Sequence, residues 1–222
     1  TWALIMAASR KIVPYANNLK DGLWQTASIN PALNGVGRVL HGRTLGLWSY
    51  GKIGKLVAGY ARAFGMRVLV WGSEASRAAA VADGLEAAAS REALFEQADV
   101  LSLHLRLAES TRGVVTASDL ARMKPDALFV NTSRAELVAE GALEGALKGG
   151  RPGTAALDVF TGEPLAQDSP LLRIPTVLAT PHLGYVEKDS YEIYFQAAFE
   201  NIVKFAQGEP ANILNPEALE KR

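Results

Sequence analysis

Residues 46–54 read GLWSYGKIG. The apolar run Leu45 to Trp48 is strand-like, Gly51 and Gly54 enclose Lys52 and Ile53, and an amphipathic run from Ile53 to Phe64 follows. Strand, glycine loop and helix, in that order, form the setting in which such a loop binds a dinucleotide, because the first amides of the helix point at a pyrophosphate. Gly51 occupies the position where backbone approaches the phosphates, and Gly54 the one where helix meets strand. Ser49 stands where the fingerprint has its first glycine. If that turn requires a positive φ, a side chain there costs about 1–2 kcal/mol, which leaves the other backbone amides and the helix terminus in place. The competing reading is an ordinary strand-to-helix turn.

Outward from this loop, short β-branched runs alternate with longer alanine-rich amphipathic stretches, the pattern of βαβ units around a parallel sheet. Strands are predicted over Leu45–Trp48, Arg67–Trp71, Val100–Leu103, Ala127–Asn131, Ala155–Val159 and Val177–Thr180. Helices are predicted over Ile53–Phe64, Ser76–Gly84, Arg91–Gln97, Ser118–Met123 and Glu140–Lys148. Residues 1–16 read as one helix, 17–42 as mostly loop with turn chemistry in NPALNG, and 185–207 as one aromatic-rich helix ending at Gly208. The fold class expected is α/β, a Rossmann-type doubly wound parallel sheet with helical N- and C-terminal extensions.

With 222 residues the chain can bury one large α/β core, whereas two full domains would be cramped. Lys plus Arg equals Asp plus Glu at 23 each, so no long-range field draws in nucleic acid or an anionic membrane. The absence of cysteine removes disulfides, thiolate nucleophiles and Cys-based zinc sites, and fits an intracellular, cytoplasmic protein. Three histidines, His41, His104 and His182, are too few to suggest a metal cluster, and no metal is expected. The early apolar run Trp2–Ala8 is far shorter than the ~20 residues of a membrane span. The chain starts at Thr1 inside a helical pattern without an initiator Met, which suggests a fragment or a processed chain.

Several chemistry-bearing residues follow predicted strands, where ligands collect in a doubly wound sheet. After the second strand, Gly72 occupies the position of the usual ribose-binding acid, with Glu74 two residues on. Nothing at position 72 repels a 2′-phosphate, and Ser73, Ser76 or Arg77 could accept one; alternatively they cap and solvate the next helix, with Ser76 as N-cap. NAD and NADP stand as alternatives here. Arg134 in FVNTSRAEL has the planar fork that suits a carboxylate, and Glu163 in DVFTGEPL can fix an imidazole's tautomer. His182 in LATPHLGY is placed for proton transfer. Singly, each also reads as a solvated turn histidine or a surface ion pair; together, at three strand ends, they point to a site. His104 in LSLHLRL either lines the cleft or is a satisfied structural histidine, and His41 is given no role.

GRTLGLWSYGKIGKLVAGYARAFGMRVLVWG, ADVLSLHLRL, MKPDALFVNTSRAEL, AALDVFTGEPL and ATPHLGY together resemble the D-isomer-specific 2-hydroxyacid dehydrogenases, in order and through nearly the whole chain. The resemblance implies an NAD-dependent reduction of a small 2-keto acid to the D-2-hydroxy acid, or the reverse, with NADP not excluded. It makes Arg134 the substrate-orienting arginine, Glu163 the partner carboxylate and His182 the acid/base. It sets Ser49, Gly51, Lys52, Ile53 and Gly54 at the pyrophosphate, Gly72 and Ser73 at the ribose, Thr132 and Ser133 beside the cofactor, Asp158 near the carboxamide, and His104 with the cofactor-binding set. It divides the chain into an interdomain helix and loop arm (1–42), a dinucleotide-binding domain (43–184) and a crossover helix with tail (185–222). A homodimer is implied, with neither nucleic acid nor membrane as partner.

Four positions depart from the family pattern: Ser49 and Ala135 replace glycines, Gly72 the ribose acid, and Arg106 a proline. None touches Arg134, Glu163 or His182. Glutamate before Pro164 argues against the formate dehydrogenase branch. Family members begin with a further small domain that grips the substrate carboxylate, so this chain is expected to fold and bind cofactor but to turn over poorly. Two rival readings are a nucleotide-sensing, corepressor-like interaction protein on the same fold and a structural α/β domain with a degenerate site.

Overall fold

The structure, a computed structural model, describes residues 1–30 and 35–221, so the turn expected in NPALNG lies largely outside the described residues. It comprises two units, Thr1–Pro181 and His182–Arg222.

The first unit is built on β1 (Thr44–Trp48), β2 (Arg67–Trp71), β3 (Glu86–Ala87), β4 (Val100–Leu103), β5 (Leu128–Asn131), β6 (Thr154–Leu157) and β7 (Val177–Ala179). They form one parallel seven-stranded sheet in the order β3-β2-β1-β4-β5-β6-β7. The order reverses between β1 and β4, which makes their carboxyl ends the topological switch point. Helices α1 (Trp2–Ser9), α2 (Ile12–Lys20), α3 (Lys52–Ala63), α4 (Glu74–Ala82), α5 (Arg91–Gln97), α6 (Ala117–Ala121) and α7 (Ala142–Lys148) complete it.

Because successive strand side chains face opposite ways, each strand feeds two cores. Leu45, Leu47, Val68, Val70, Val100 and Val130 pack with Leu4 and Ile5 of α1, Val57 and Ala61 of α3 and Ala80 of α4. Trp48, Leu69, Leu101, Leu103, Phe129 and Leu157 pack with Leu94 and Phe95 of α5, Leu120 of α6 and Leu143 and Leu147 of α7. A strand buried on both faces reads as a continuous apolar run, which is why these segments were visible in the sequence. The α/β doubly wound fold is the one expected.

The local differences have physical reasons. The helix expected over 1–16 breaks at Lys11, which sits in the left-handed region at φ 53°. Pro14 cannot donate a backbone hydrogen bond and crowds the carbonyl four residues back, so the chain restarts with Pro14 in the first turn of α2. Helix α4 begins earlier than expected: Ser73, not Ser76, is its N-cap, its Oγ accepting from the Ser76 amide at 3.2 Å. Thr116 rather than Ser118 starts α6, in a reciprocal capping box with Asp119. Strand β3 was not expected; two exposed edge residues carry no periodicity.

In the second unit a 3₁₀ turn at Leu183–Tyr185 precedes α8 (Lys188–Ala206) and a further 3₁₀ segment spans Pro216–Lys221. Helix α8 stops where predicted, at Gly208, whose φ of +80° favours glycine. Tyr191, Phe195 and Phe199 line up one turn apart, with ring centroids 6.1 and 6.4 Å apart.

Candidate active site

The strands of the first unit end in register. Trp48 pairs with Trp71 and Leu103, Leu103 with Asn131, Asn131 with Leu157, and Leu157 with Ala179. The next residue along each strand therefore forms a level row: Gly72, Ser49, His104, Thr132, Asp158 and Thr180. All but Thr180 are positions singled out from the sequence.

Hydrogen bonds stitch this row together. The Ser49 amide donates to the Trp71 carbonyl at 2.7 Å and the His104 amide to the Trp48 carbonyl at 2.9 Å. Ser133 Oγ donates to the Leu105 carbonyl at 2.6 Å, and the Asp158 amide to the Asn131 carbonyl at 3.0 Å. Thr180 Oγ1 donates to Asp158 Oδ1 at 2.5 Å, holding a carboxylate that is 4% exposed.

At the β1 end, Ser49 adopts φ +84°, so the serine does occupy the strained position that the fingerprint gives to glycine. A Cβ on Gly54 would lie 2.8 Å from the Ser49 carbonyl oxygen, so only glycine lets α3 start this close to the loop. At Gly51 a Cβ would meet nothing within 4 Å: the protein leaves that space open. No side chain caps α3, so its first amides are available to an anion. Beyond β2, Arg77 has its guanidinium carbon 4.8 Å from the centroid of the Trp71 ring, and its Nε is buried without a hydrogen-bond partner. Open space at Gly51, uncapped amides and an orphaned cationic N–H fit an anionic dinucleotide.

At the β4 and β5 ends, Ser102 Oγ and His104 Nε2 are 3.1 Å apart, and burial lowers the imidazole pKa to about 4, so His104 is neutral near pH 7. The Thr132 and Thr1 hydroxyls are 2.6 Å apart. The loop carrying Ser133 and Arg134 is clamped by Asn131, 2% exposed, which sequence reading passed over. Its Oδ1 accepts from the Ser133 amide at 3.0 Å and its Nδ2 donates to the Arg134 carbonyl at 2.9 Å. A polar residue closing the apolar run ALFVN was the available signal. Arg134 is exposed and its Nη1 donates to the Ser133 carbonyl at 2.7 Å.

Glu163 lies in the loop beyond β6, where its carboxylate accepts from the Phe160 amide at 2.8 Å. His182 opens the second unit in a left-handed conformation (φ 54°, ψ 49°), its ring edge-on to Tyr185 with centroids 5.6 Å apart.

A hollow of about 280 Å³ at the opposite end of the strands has Arg38, Arg43, Asp99 and Asp126 in its lining, and the charges there are paired. Arg38 pairs with Asp126, and Lys124 with Asp99 at 2.9 Å. Among the described residues no group of three or more His, Cys, Asp or Glu could hold a metal ion, and no helix is long and apolar enough to cross a membrane.

Comparison with known proteins agrees with this geometry. The family profile described as "D-isomer specific 2-hydroxyacid dehydrogenase, NAD binding domain" matches residues 2–184. A glyoxylate reductase of Aeropyrum pernix is 38% identical over 225 residues, covering 100% of this chain and 67% of that protein. The structure of an oxidoreductase from Ralstonia solanacearum superposes with a TM-score of 0.92 at 56% identity, over 98% of this chain and 65% of that one. An acyclic imino acid reductase, Bsp5, solved with NADPH and D-Arg, superposes with a TM-score of 0.76 at 30% identity, over 96% of this chain and 65% of that one. The chain thus spans about two thirds of the length of these relatives. With its glycine loop, parallel sheet and strand-end row accounted for, the chain belongs to the D-isomer-specific 2-hydroxyacid dehydrogenase family, its residues 2–184 matching the NAD-binding domain.

Proposed function

We propose that this chain is the cofactor-binding part of an NAD(P)-dependent oxidoreductase that interconverts a small D-2-hydroxy acid and its 2-keto acid. The observation that carries the reading is the in-register row of Ser49, Gly72, His104, Thr132 and Asp158 along the carboxyl edge of the sheet. When bound, the nicotinamide supplies the two-electron reducing equivalent. The chain's own residues do the rest. The α3 amides and the open space at Gly51 receive the pyrophosphate, with Ser49, Lys52, Ile53 and Gly54 around it; Thr132, Ser133 and the buried Asp158 fix the nicotinamide end.

Arg134 is assigned to orient the substrate carboxylate through its two-pronged guanidinium and to polarise the neighbouring carbonyl. His182 is assigned to give a proton to the carbonyl oxygen in reduction and take it back in oxidation, and Glu163 is its assigned partner carboxylate. Family membership, and for Arg134 and Glu163 their positions beyond the ends of β5 and β6, support the assignments. Glyoxylate and similar small 2-keto acids are the proposed substrates, since the Aeropyrum pernix relative is a glyoxylate reductase. A cytoplasmic homodimer is the proposed form. Leu56 and Tyr60 on α3 and Phe64 just after it form an apolar stripe, each between 43% and 60% exposed, which supports self-association.

The test is a calorimetric titration of the folded chain with NADH and NADPH, followed by an assay of glyoxylate reduction at the nicotinamide absorbance. Binding of either nucleotide supports the reading. A folded chain that binds neither overturns it. Binding with partner capture but no turnover in any longer form of the protein would favour the corepressor-like alternative.

A further inference from the structure

The rim beyond β2 is where a dinucleotide-binding sheet reads the adenosine ribose, and here its chemistry is cationic. A ribose 2′-hydroxyl is ordinarily held by a carboxylate at the strand end. Position 72 is Gly72, with φ +153°, and a Cβ added there would lie 3.2 Å from Ser76 Cβ and 3.4 Å from Ser49 Cα. Backbone conformation and crowding together keep an acidic side chain out of this position. Glu74 is exposed in the first turn of α4 and forms no ion pair with Arg77.

What the rim holds instead is Arg77, two hydroxyls and an indole. The Arg77 guanidinium is stacked over Trp71 at 4.8 Å, its Nε buried without a partner, and no carboxylate among the described residues neutralises it. Stacking orients a guanidinium while leaving its outer N–H groups to an anion. Ser73 Oγ accepts from the Ser76 amide at 3.2 Å and Ser76 Oγ from the Tyr50 amide at 2.8 Å. A hydroxyl that accepts from a backbone N–H still has its own proton to donate. A fixed cation flanked by two hydroxyl donors suits a phosphate dianion far better than a neutral diol.

Resting on the proposed dinucleotide site, we infer that this chain selects the 2′-phosphorylated cofactor, NADP(H), and that Arg77 is the residue that determines the choice. Calorimetric titration of the folded chain with NADPH and NADH, and with the half-molecules 2′,5′-ADP and 5′-AMP, measures this without any turnover. NADPH is expected to bind at least tenfold tighter than NADH, and 2′,5′-ADP tighter than 5′-AMP, more so at low salt.

Arg77→Gln is expected to weaken NADPH about 10- to 100-fold, the usual loss for a charge-assisted contact, while NADH changes less than about twofold. Arg77→Lys, which keeps the charge and loses the fork, is expected to fall between. NADH binding as tightly as NADPH to the unaltered chain overturns the inference and leaves the dinucleotide site standing. Equal weakening of both nucleotides by Arg77→Gln, with a lowered melting temperature, makes Arg77 a structural partner of Trp71 and also overturns it. If the folded chain binds none of the four probes, both the inference and the proposed site fall.

Discussion

The Tyr50 amide donates a hydrogen bond to Ser76 Oγ at 2.8 Å, joining the glycine loop after β1 to the first turn of α4 after β2. Two segments 26 residues apart in sequence are thereby held as one surface at the switch point of the sheet. Tyr50 is 7% exposed, so water has little access to that amide. Ser76→Ala strands the donor and is expected to cost about 1–2 kcal/mol. Chemical denaturation should show a lower midpoint with an unchanged m-value, and an unaltered midpoint would mean that the loop finds another acceptor.

Ser49 is a residue with a side chain at φ +84°, in a turn that glycine adopts without strain. Ser49→Gly is expected to raise unfolding free energy by up to about 1 kcal/mol, the relief of strain exceeding the greater freedom of glycine in the unfolded chain. A fall in stability on the same substitution would show that the serine contributes a contact worth more than the strain.

Asn131 spans the base of the Arg134 loop, accepting from Ser133 and donating to Arg134. Asn131→Ala leaves a part-buried amide and carbonyl unmatched and is expected to cost about 1–2 kcal/mol. Asn131→Asp keeps the acceptor for Ser133 but turns a carboxylate oxygen towards the Arg134 carbonyl in a site only 2% exposed, so it should destabilise more at pH 7. Denaturant midpoints of the two variants check the order; Asp milder than Ala would rule out the clamp as described.

His104 resists protonation in the folded chain down to about pH 4, against 6.5 for an unburied imidazole, because it is withdrawn from water and, to a lesser extent, faces the Thr1 ammonium charge. As pH falls through 6.5 the unfolded chain takes up a proton that the folded chain refuses. Stability is therefore lost between about pH 6.5 and pH 4, by roughly 3 kcal/mol at most from this residue, with no contribution above that window. His104→Gln removes the titration while offering Ser102 a partner. Its unfolding free energy should fall less than that of the unaltered chain between pH 7 and pH 4.5, and parallel losses would show that His104 titrates normally.

Much of the fold was legible because the strands are buried on both faces. Arg67–Trp71 and Val100–Leu103 were expected with the bounds observed, since a β-branched run flanked by glycine or charge admits few alternatives. The exposed two-residue β3 and the break at Lys11 were not legible: the first has no burial to impose a pattern, and the second depends on where Pro14 must fall in a helix. Helix starts shifted by two residues at α4 because Ser73 and Ser76 both qualify as N-caps by type. Ser76 is instead engaged by Tyr50, a partner distant in sequence.

The order of residue types along the chain determined the family, the parallel sheet and which side chains follow its strands, because local periodicity and turn chemistry act over a few residues at a time. Tertiary structure alone decided how those strand ends meet. Strand register set Ser49, Gly72, His104, Thr132 and Asp158 in one row, turned Asn131 from a strand terminus into a clamp, and stacked Arg77 on Trp71 with an N–H left unmatched. These are relations between segments that only packing of the sheet and its helices brings within hydrogen-bonding distance, and linear spacing carries no information about them.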